Sequence, residues 1–387
     1  MKLLIIADDL TGTMDTAVQL ARSGVSTAAM LRPNEALPEC DVLAINADTR
    51  HLPPAKAYER MGELLARFPK DINLYLKTDS VLRGNNSAAF AAVLDSGRGP
   101  IMFVPAFPKA GRITKQGLQY VGGLLLEASP FADDPLNPMT TSNVTELLNN
   151  SHCVECESIP FGGVAAKHGV SVFDCETQEQ LFEIADMLEG QSLLINIAGC
   201  AGFAEAVARF MATGEKTPHK PKNSPVLFLS GSANRATFAQ LAFAKANRLE
   251  LVIIPQELKL AEQPDLTEVT SRLREAITQG SSVILATAAS EQDLLPLTDK
   301  AHAGLQDIFA RVAEELWPML ENLAIFGGDT ALAVLDKAGV GTVKLIDEIQ
   351  TGVPLCEAAG IRLVTKSGGL GDLDAVVKID NYLRYGK

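Results

Sequence analysis

The sequence predicts an α/β protein of two domains, each a mostly parallel sheet flanked by helices. Three observations carry this. Short continuous apolar runs alternate with helix-period segments, the pattern of buried parallel strands joined by helical crossovers. Those runs end in acids, cations or glycines, where open α/β sheets hold their ligands. Finally, 387 residues exceed one ordinary core, and Gly214 to Pro225 (GEKTPHKPKNSP) breaks the periodicity with three prolines. The expected domains are therefore residues 1–220 and 221–387.

The first half is organised around Met1 to Gly24. Lys2 to Ala7 (KLLIIA) is a strand, Asp8 to Gly12 a sharp acidic turn, and Met14, Ala17, Val18 and Ala21 recur at helical spacing. Strands follow at Thr27 to Leu31, Asp41 to Ile45, Asn73 to Leu76 and Ile101 to Val104, with helices over Ala55 to Arg67 and Ala88 to Leu94. From Gln116 to Asn150 the pattern is irregular, broken by Pro130, Pro135 and Pro138. His152 to Glu157, Val170 to Asp174 and Ser192 to Ile197 read as strands, and Gln178 to Leu188 and Ala201 to Met211 as helices. In the second half, strands are expected at Val226 to Leu229, Leu249 to Ile254, Ser282 to Ala286 and Leu323 to Phe326. Helices are expected at Thr237 to Asn247, Leu305 to Leu320 and Ala331 to Ala338, the last capped by Asp329 or Thr330. Val343 to Lys387 reads as glycine-rich and strand-rich.

Composition narrows the function. Hydrophobic residues make up 47% and charged residues 21%, as in globular chains, and the formal net charge is -13. No basic footprint for nucleic acid or a membrane surface is present. No run of eighteen apolar residues exists, and KLLIIA is too short for a signal sequence, so a cytoplasmic location is expected. Cys153 and Cys156 form a lone CxxC beside His152; with no second ligand pair at zinc spacing, reduced thiols are expected for all six cysteines.

Four strand ends of the first half carry polar groups: Asp8-Asp9, Asp48-Arg50, Lys77-Asp79-Ser80-Arg83 and Lys109-Arg112. A parallel sheet brings them to one edge. Arg50, Lys77 and Arg83 suit a carboxylate, and Asp9 suits a hydroxyl proton. The plainer alternatives are a helix cap for Asp8 and Asp9 and a solvated pair between Asp79 and its cations. In the second half, Ser230-Gly231-Ser232, Gly327-Gly328-Asp329-Thr330 and Gly368 to Gly371 are turns whose amides suit phosphate. None matches a P-loop or a GxGxxG fingerprint, and any one alone reads as a tight turn.

The segments IADDLTGTMDTAVQLARSG, KTDSVLRGN, VPAFPKAGRITKQG, LSGSANRATFAQ, FGGDTA, TGVPL and TKSGGLG together resemble the four-carbon acid sugar kinase family, from the first strand to about Val377. The resemblance implies an N-terminal domain for a sugar acid, a C-terminal domain for ATP with Mg²⁺, and an active site in the cleft between them. The γ-phosphate would pass to the terminal hydroxyl of a tetronate-type acid. Asp9 would be catalytic. Arg50, Lys77, Thr78, Asp79 and Ser80 would lie with it at the acid, beside Asp8 and Arg83. Ser232, Gly327, Gly328, Asp329, Thr330, Gly369 and Gly371 would lie at the nucleotide, with no metal ligand assigned. The DTAVQLARSG helix looks closest to D-threonate kinases, with D-erythronate and 3-oxo-tetronate kinases as alternatives. The chain departs from the family at Thr78, Val81 and Leu82, where many members read K-I-D-S-T-L, and at Leu370, where an aromatic is usual.

A haloacid-dehalogenase-type phosphatase would need D-x-D-x-T, whereas this chain reads Asp8-Asp9-Leu10-Thr11. A non-enzymatic sugar-acid sensor stays as the alternative from another class, but would leave the glycine turns without a role. Lys366 is open between a site cation and a surface residue, and assembly as a homodimer is left open.

Overall fold

The computed structural model describes residues 1–33, 36–134, 137–214, 220–294 and 299–387, with backbone alone for 299–302. The chain divides into two compact units, Met1–Lys216 and Thr217–Lys387. Residues 215–219 of the connection expected at Gly214 to Pro225 lie outside the described residues.

In the first unit the strands are β1 (Leu3–Ala7), β2 (Thr27–Met30), β3 (Val42–Asn46), β4 (Asn73–Lys77), β5 (Ile101–Val104), β6 (Arg112–Lys115), β7 (Leu118–Val121), β8 (Leu124–Leu125), β9 (Cys156–Ile159), β10 (Val170–Phe173) and β11 (Asn196–Gly199). Its helices are α1 (Leu10–Ala21), α2 (Pro54–Ala66), α3 (Asn86–Asp95), α4 (Val144–Leu148), α5 (Gln178–Gly190) and α6 (Ala201–Met211). The main sheet runs β2-β3-β1-β4-β11-β5-β10-β9, with every pairing parallel. β1, β3 and β5 are buried along their whole length, and this is why they read as uninterrupted apolar runs. The chain leaves β1 for β2 and β3 on one side and then crosses from β3 to β4 on the other side of β1. The strand order therefore reverses beside β1, where open sheets open a crevice at their carboxyl ends.

Three expectations shift here, the first being that the strand read at His152 to Glu157 forms at Cys156–Ile159. The last parallel strand is Asn196–Gly199, not Ser192 to Ile197, because Ser192 turns with φ 58° before it. The irregular stretch holds a small antiparallel sheet, β6-β7-β8, whose half-buried strands RITK and LQYV lack a clear apolar period.

The second unit comprises β12 (Val226–Ser230), α7 (Arg235–Ala246), β13 (Glu250–Ile253), α8 (Gln256–Leu260), α9 (Thr267–Thr278), β14 (Val283–Ala286), α10 (Asp299–Leu316), β15 (Asn322–Phe326), α11 (Gly328–Lys337), β16 (Thr342–Gln350), β17 (Val353–Ala358), β18 (Ile361–Lys366) and α12 (Ala375–Tyr385). Its sheet runs β13-β14-β12-β15-β18-β17-β16; β13 to β18 pair in parallel, and β17 is antiparallel to both neighbours. The order reverses at β12 and β15, so this unit has its own switch point. Val226, Phe228, Ala324, Phe326, Val364 and Ile379 are part of its core. The sequence expectations include neither α8 nor α9, and the tail expected to be strand-rich carries three strands and then the helix α12. The long helix starts at Asp299 and ends at Leu316, ahead of Pro318, not at Leu320.

Candidate active site

At the first unit's switch point the polar strand ends converge. Asp9 caps α1: its Oδ1 accepts from Gly12 N at 2.8 Å, its Oδ2 from Thr11 Oγ1 at 2.8 Å, and its carbonyl from Thr13 Oγ1 at 2.7 Å. The cap and the site are thus one group. Arg50, carried in just past β3, grips Asp8 with two bonds (Nε–Oδ2 2.7 Å, Nη2–Oδ1 2.8 Å) and reaches Asp9 Oδ2 with Nη1 at 2.6 Å. A guanidinium has five N–H donors. Three are therefore held by the acidic pair; the next carboxylate oxygen, Asp79 Oδ1, stands 3.8 Å from Nη2. Asn85 fixes this arginine's loop by donating to the carbonyls of Thr49 and Leu52, each at 2.7 Å.

The turn after β4 supplies the rest. Asp79 is gripped by Arg83 (Nε–Oδ2 2.9 Å, Nη2–Oδ1 3.1 Å) and also accepts from the amides of Val81 and Arg83. Arg83 reaches Asp134 at 3.1 Å and lies over the Phe131 ring, two partners the motifs did not point to. Ser80 joins through its carbonyl, which accepts from Gln119 Nε2 at 3.3 Å. Leu82 sits at φ 62°, an unfavourable conformation for a branched side chain and of the kind found at functional turns. Lys77 is 5% exposed, yet its closest ionic partner, Asp15 Oδ1, is 3.9 Å away, beyond hydrogen-bond range. Thr78 Oγ1 beside it is buried without a partner among the described residues. The cluster thus holds groups engaged with one another (Asp8, Asp79, Arg83), an Arg50 with two N–H bonds to spare, and groups with unused donors among the described residues (Lys77, Thr78).

The charges act on one another. Burial alone would raise the Asp9 pKa, but the charges of Arg50 and Lys77 and the Thr11 hydroxyl hold it below the ordinary value. Asp79 is likewise buried, and Arg50 and Arg83 keep it well below the carboxylate range. Burial works against the Lys77 ammonium, but Asp15, Asp9 and Asp8 raise its pKa. Both carboxylates and the ammonium are therefore ionised at neutral pH. The cluster is not a set of free cations, because Arg50 and Arg83 arrive already paired with acids. Lys109 pairs with Glu205 at 2.6 Å, and Arg112 donates to the Ala110 carbonyl.

In the second unit, Ser232, Gly327, Asp329 and Thr330 line one solvent-open pocket together with Gly231. Two turns at the β12–β15 switch point, each leading into a helix, place amides and positive dipole ends there. Gly231 is required by packing: a Cβ on it would overlap Thr330 Oγ1. Gly327 is the residue that caps α11, so Asp329 and Thr330 lie in its first turn and neither caps it. Gly328, Gly369 and Gly371 do not line this pocket. The turn of Gly369 and Gly371 follows β18, with Gly368 against Ser232 and Leu370 against Gly352. The pocket's other walls, among them Lys259, Leu294, Leu305 and Phe309, belong to no motif. Lys259 is 8% exposed and donates to the Asp293 carbonyl at 3.1 Å. No group of three potential metal ligands occurs among the described residues, and no helix among them is long and apolar enough to cross a membrane.

Three strand ends carrying carboxylates and cations in the first unit, and glycine turns leading into helices in the second, are an arrangement compatible with a two-domain phosphotransferase. A family model described as a sugar-binding N-terminal domain matches residues 3–207, and one described as a nucleotide-binding C-terminal domain matches residues 227–376. The chain belongs to the four-carbon acid sugar kinase family and is a sugar-acid kinase. It is 31% identical to a D-threonate kinase of Bordetella bronchiseptica, over 98% of this chain and 97% of that one. It is 28% identical to a 3-oxo-tetronate kinase of Methylobacterium radiotolerans, over 95% and 96%. A solved structure of a Haemophilus influenzae protein shares the fold, with TM-score 0.78 at 22% identity, covering 98% of this chain and all of that one.

Proposed function

We propose that this kinase transfers the γ-phosphate of ATP to the 4-hydroxyl of D-threonate, with residues 1–220 holding the acid and residues 221–387 the nucleotide. The observation that carries the reading is an ionised Asp9 and a buried Lys77 ammonium that flank Gly12, the ammonium donating no hydrogen bond among the described residues. Names among the relatives favour the substrate: D-threonate kinases of Salmonella typhimurium and Bordetella bronchiseptica match nearly end to end.

Lys77, with Thr78 and Ser80, receives the carboxylate and nearby hydroxyls of the acid. Arg50 adds its remaining N–H bonds and holds Asp8 and Asp9 still. Asp9 accepts a hydrogen bond from the attacking hydroxyl. A carboxylate with a lowered pKa is a weak base, so Asp9 chiefly orients that oxygen and takes its proton late. This suits phosphoryl transfer, where positioning and charge stabilisation do most of the catalysis.

On the second unit, the amides at the starts of α7 and α11 hold phosphates, and Leu294, Leu305 and Phe309 offer an apolar wall for the base. The donor set fits a nucleotide, since Ser230 Oγ is buried without a partner among the described residues at the same strand end. Asp329 is the lining carboxylate suited to Mg²⁺, which binds through one or two carboxylates together with phosphates and water. Mg²⁺ would neutralise phosphate charge there.

The test is an ATP-dependent assay over D-threonate, D-erythronate and 3-oxo-tetronate, with products read by phosphorus NMR. D-threonate should give the highest kcat/KM, with phosphate on the C4 oxygen. Acid binding without turnover would favour a sensor and refute the reading.

A further inference from the structure

Lys366 ends β18 and is 1% exposed, which removes the surface role left open by the sequence. Its Nζ donates to the carbonyls of Ser367 and Leu370, each at 3.0 Å, and more weakly to that of Gly368 at 3.4 Å. The Phe326 ring lies 4.9 Å from the same nitrogen. Phe326 from β15 and Thr237 and Gln240 from α7 present a ring, a hydroxyl and an amide. Among the described residues no charged group bears on this amine, and burial alone draws its pKa down to about 8.

The turn is tied from α7 as well. Thr237 Oγ1 donates to Gly368 O at 2.9 Å, and Gln240 Nε2 donates to Leu370 O at 3.1 Å and Gly371 O at 2.9 Å. The carbonyls of residues 367, 368, 370 and 371 are therefore all turned toward donors on one side. No peptide bond among the described residues is cis. In a trans peptide the N–H points opposite to the preceding carbonyl. The N–H groups of Gly368, Gly369 and Gly371 consequently face away from Lys366 and that of Asp372 away from Gln240, and none has a protein acceptor among the described residues. Amides gathered on one side of a turn form an anion-binding concavity.

We propose that Lys366 is a positioning residue: it holds the 367–371 turn from behind so that these amides receive a phosphate group of the nucleotide. The ammonium does not touch the ligand. It fixes the peptide planes and adds positive charge behind them. The inference rests on the nucleotide reading of the second unit and adds the residue that shapes this turn.

ADP binding to the full chain is measured by calorimetry from pH 7 to 9.5, above the second ionisation of phosphate near about 6. The wild type should bind most tightly while Lys366 is protonated and lose affinity roughly three- to tenfold as pH rises through about 8. Lys366→Met should bind at least about tenfold more weakly, without that pH dependence, while D-threonate affinity stays unchanged. Should Lys366→Met not fold, Thr237→Val and the wild-type profile decide: the variant should bind more weakly and keep the pH dependence. A flat wild-type profile, or wild-type affinity in Lys366→Met, overturns the inference and leaves the nucleotide reading standing. Failure of the wild type to bind ADP overturns both.

Discussion

Gly12→Ala isolates the geometry of the acid site from the stability of the fold. Gly12 lies in the first turn of α1, where alanine is ordinarily preferred by about 0.5–1 kcal/mol. Here a Cβ would stand 2.5 Å from Asp9 Oδ1 and 2.6 Å from Lys77 Nζ. Ordinary contact starts near 3.4 Å, so each group must retreat by roughly 0.8 Å. Misplacement on the scale of 1 Å can cost about 10²-fold in rate, or about 2.7 kcal/mol of transition-state stabilisation. The variant should therefore melt within a few degrees of wild type and bind ADP normally, but lose about 10²-fold in kcat/KM for the acid. Coupled ADP release and calorimetric melting measure the two effects. A kcat/KM within threefold of wild type would show that Asp9 and Lys77 need not be where the structure has them.

Asp9→Asn keeps the cap acceptor for Gly12 N but removes the charge, and turnover should fall by roughly 10²–10⁴-fold in a steady-state assay. Arg50→Ala should raise the KM for the acid roughly 10- to 150-fold and lower kcat too, because it frees Asp8 and Asp9; an equal rise in the KM for ATP would move Arg50 out of the acid site. Gly231→Ala displaces Thr330 and should raise the KM for ATP at least about tenfold while sparing the KM for the acid, as read from two-substrate kinetics. Asp79 has a lower pKa folded than unfolded, so its stabilisation is full above about pH 4 and is lost as pH falls through the folded value. Melting curves should hold to about pH 4 and drop below it, and Asp79→Asn should make that acid limb shallower.

The parts legible in the sequence were those whose burial is complete. β1, β3, β5, β12 and β15 are buried along their length, so composition alone marks them. β6 and β7 are short, half-exposed and stabilised by pairing, which no local pattern reports. The acidic turn after β1 and the cations after β3 and β4 were visible as residues. Their pairing was not, because Arg50 meets Asp8 only through the β3-β1-β4 strand order. Lys366 hid for a different reason: lysine is ordinarily exposed, and its burial depends on carbonyls that the turn supplies.

Acid and nucleotide are proposed to be held by different strand ends of the chain. Hydrogen exchange of the full-length protein, with each ligand added alone, tests it most directly. D-threonate should protect amides of residues 8–13 and 77–84 and leave the second unit unchanged. ADP should protect residues 230–234, 327–331 and 367–372 and leave the acidic turn after β1 unchanged. Protection of the turns after β1 and β4 by ADP alone would contradict the claim.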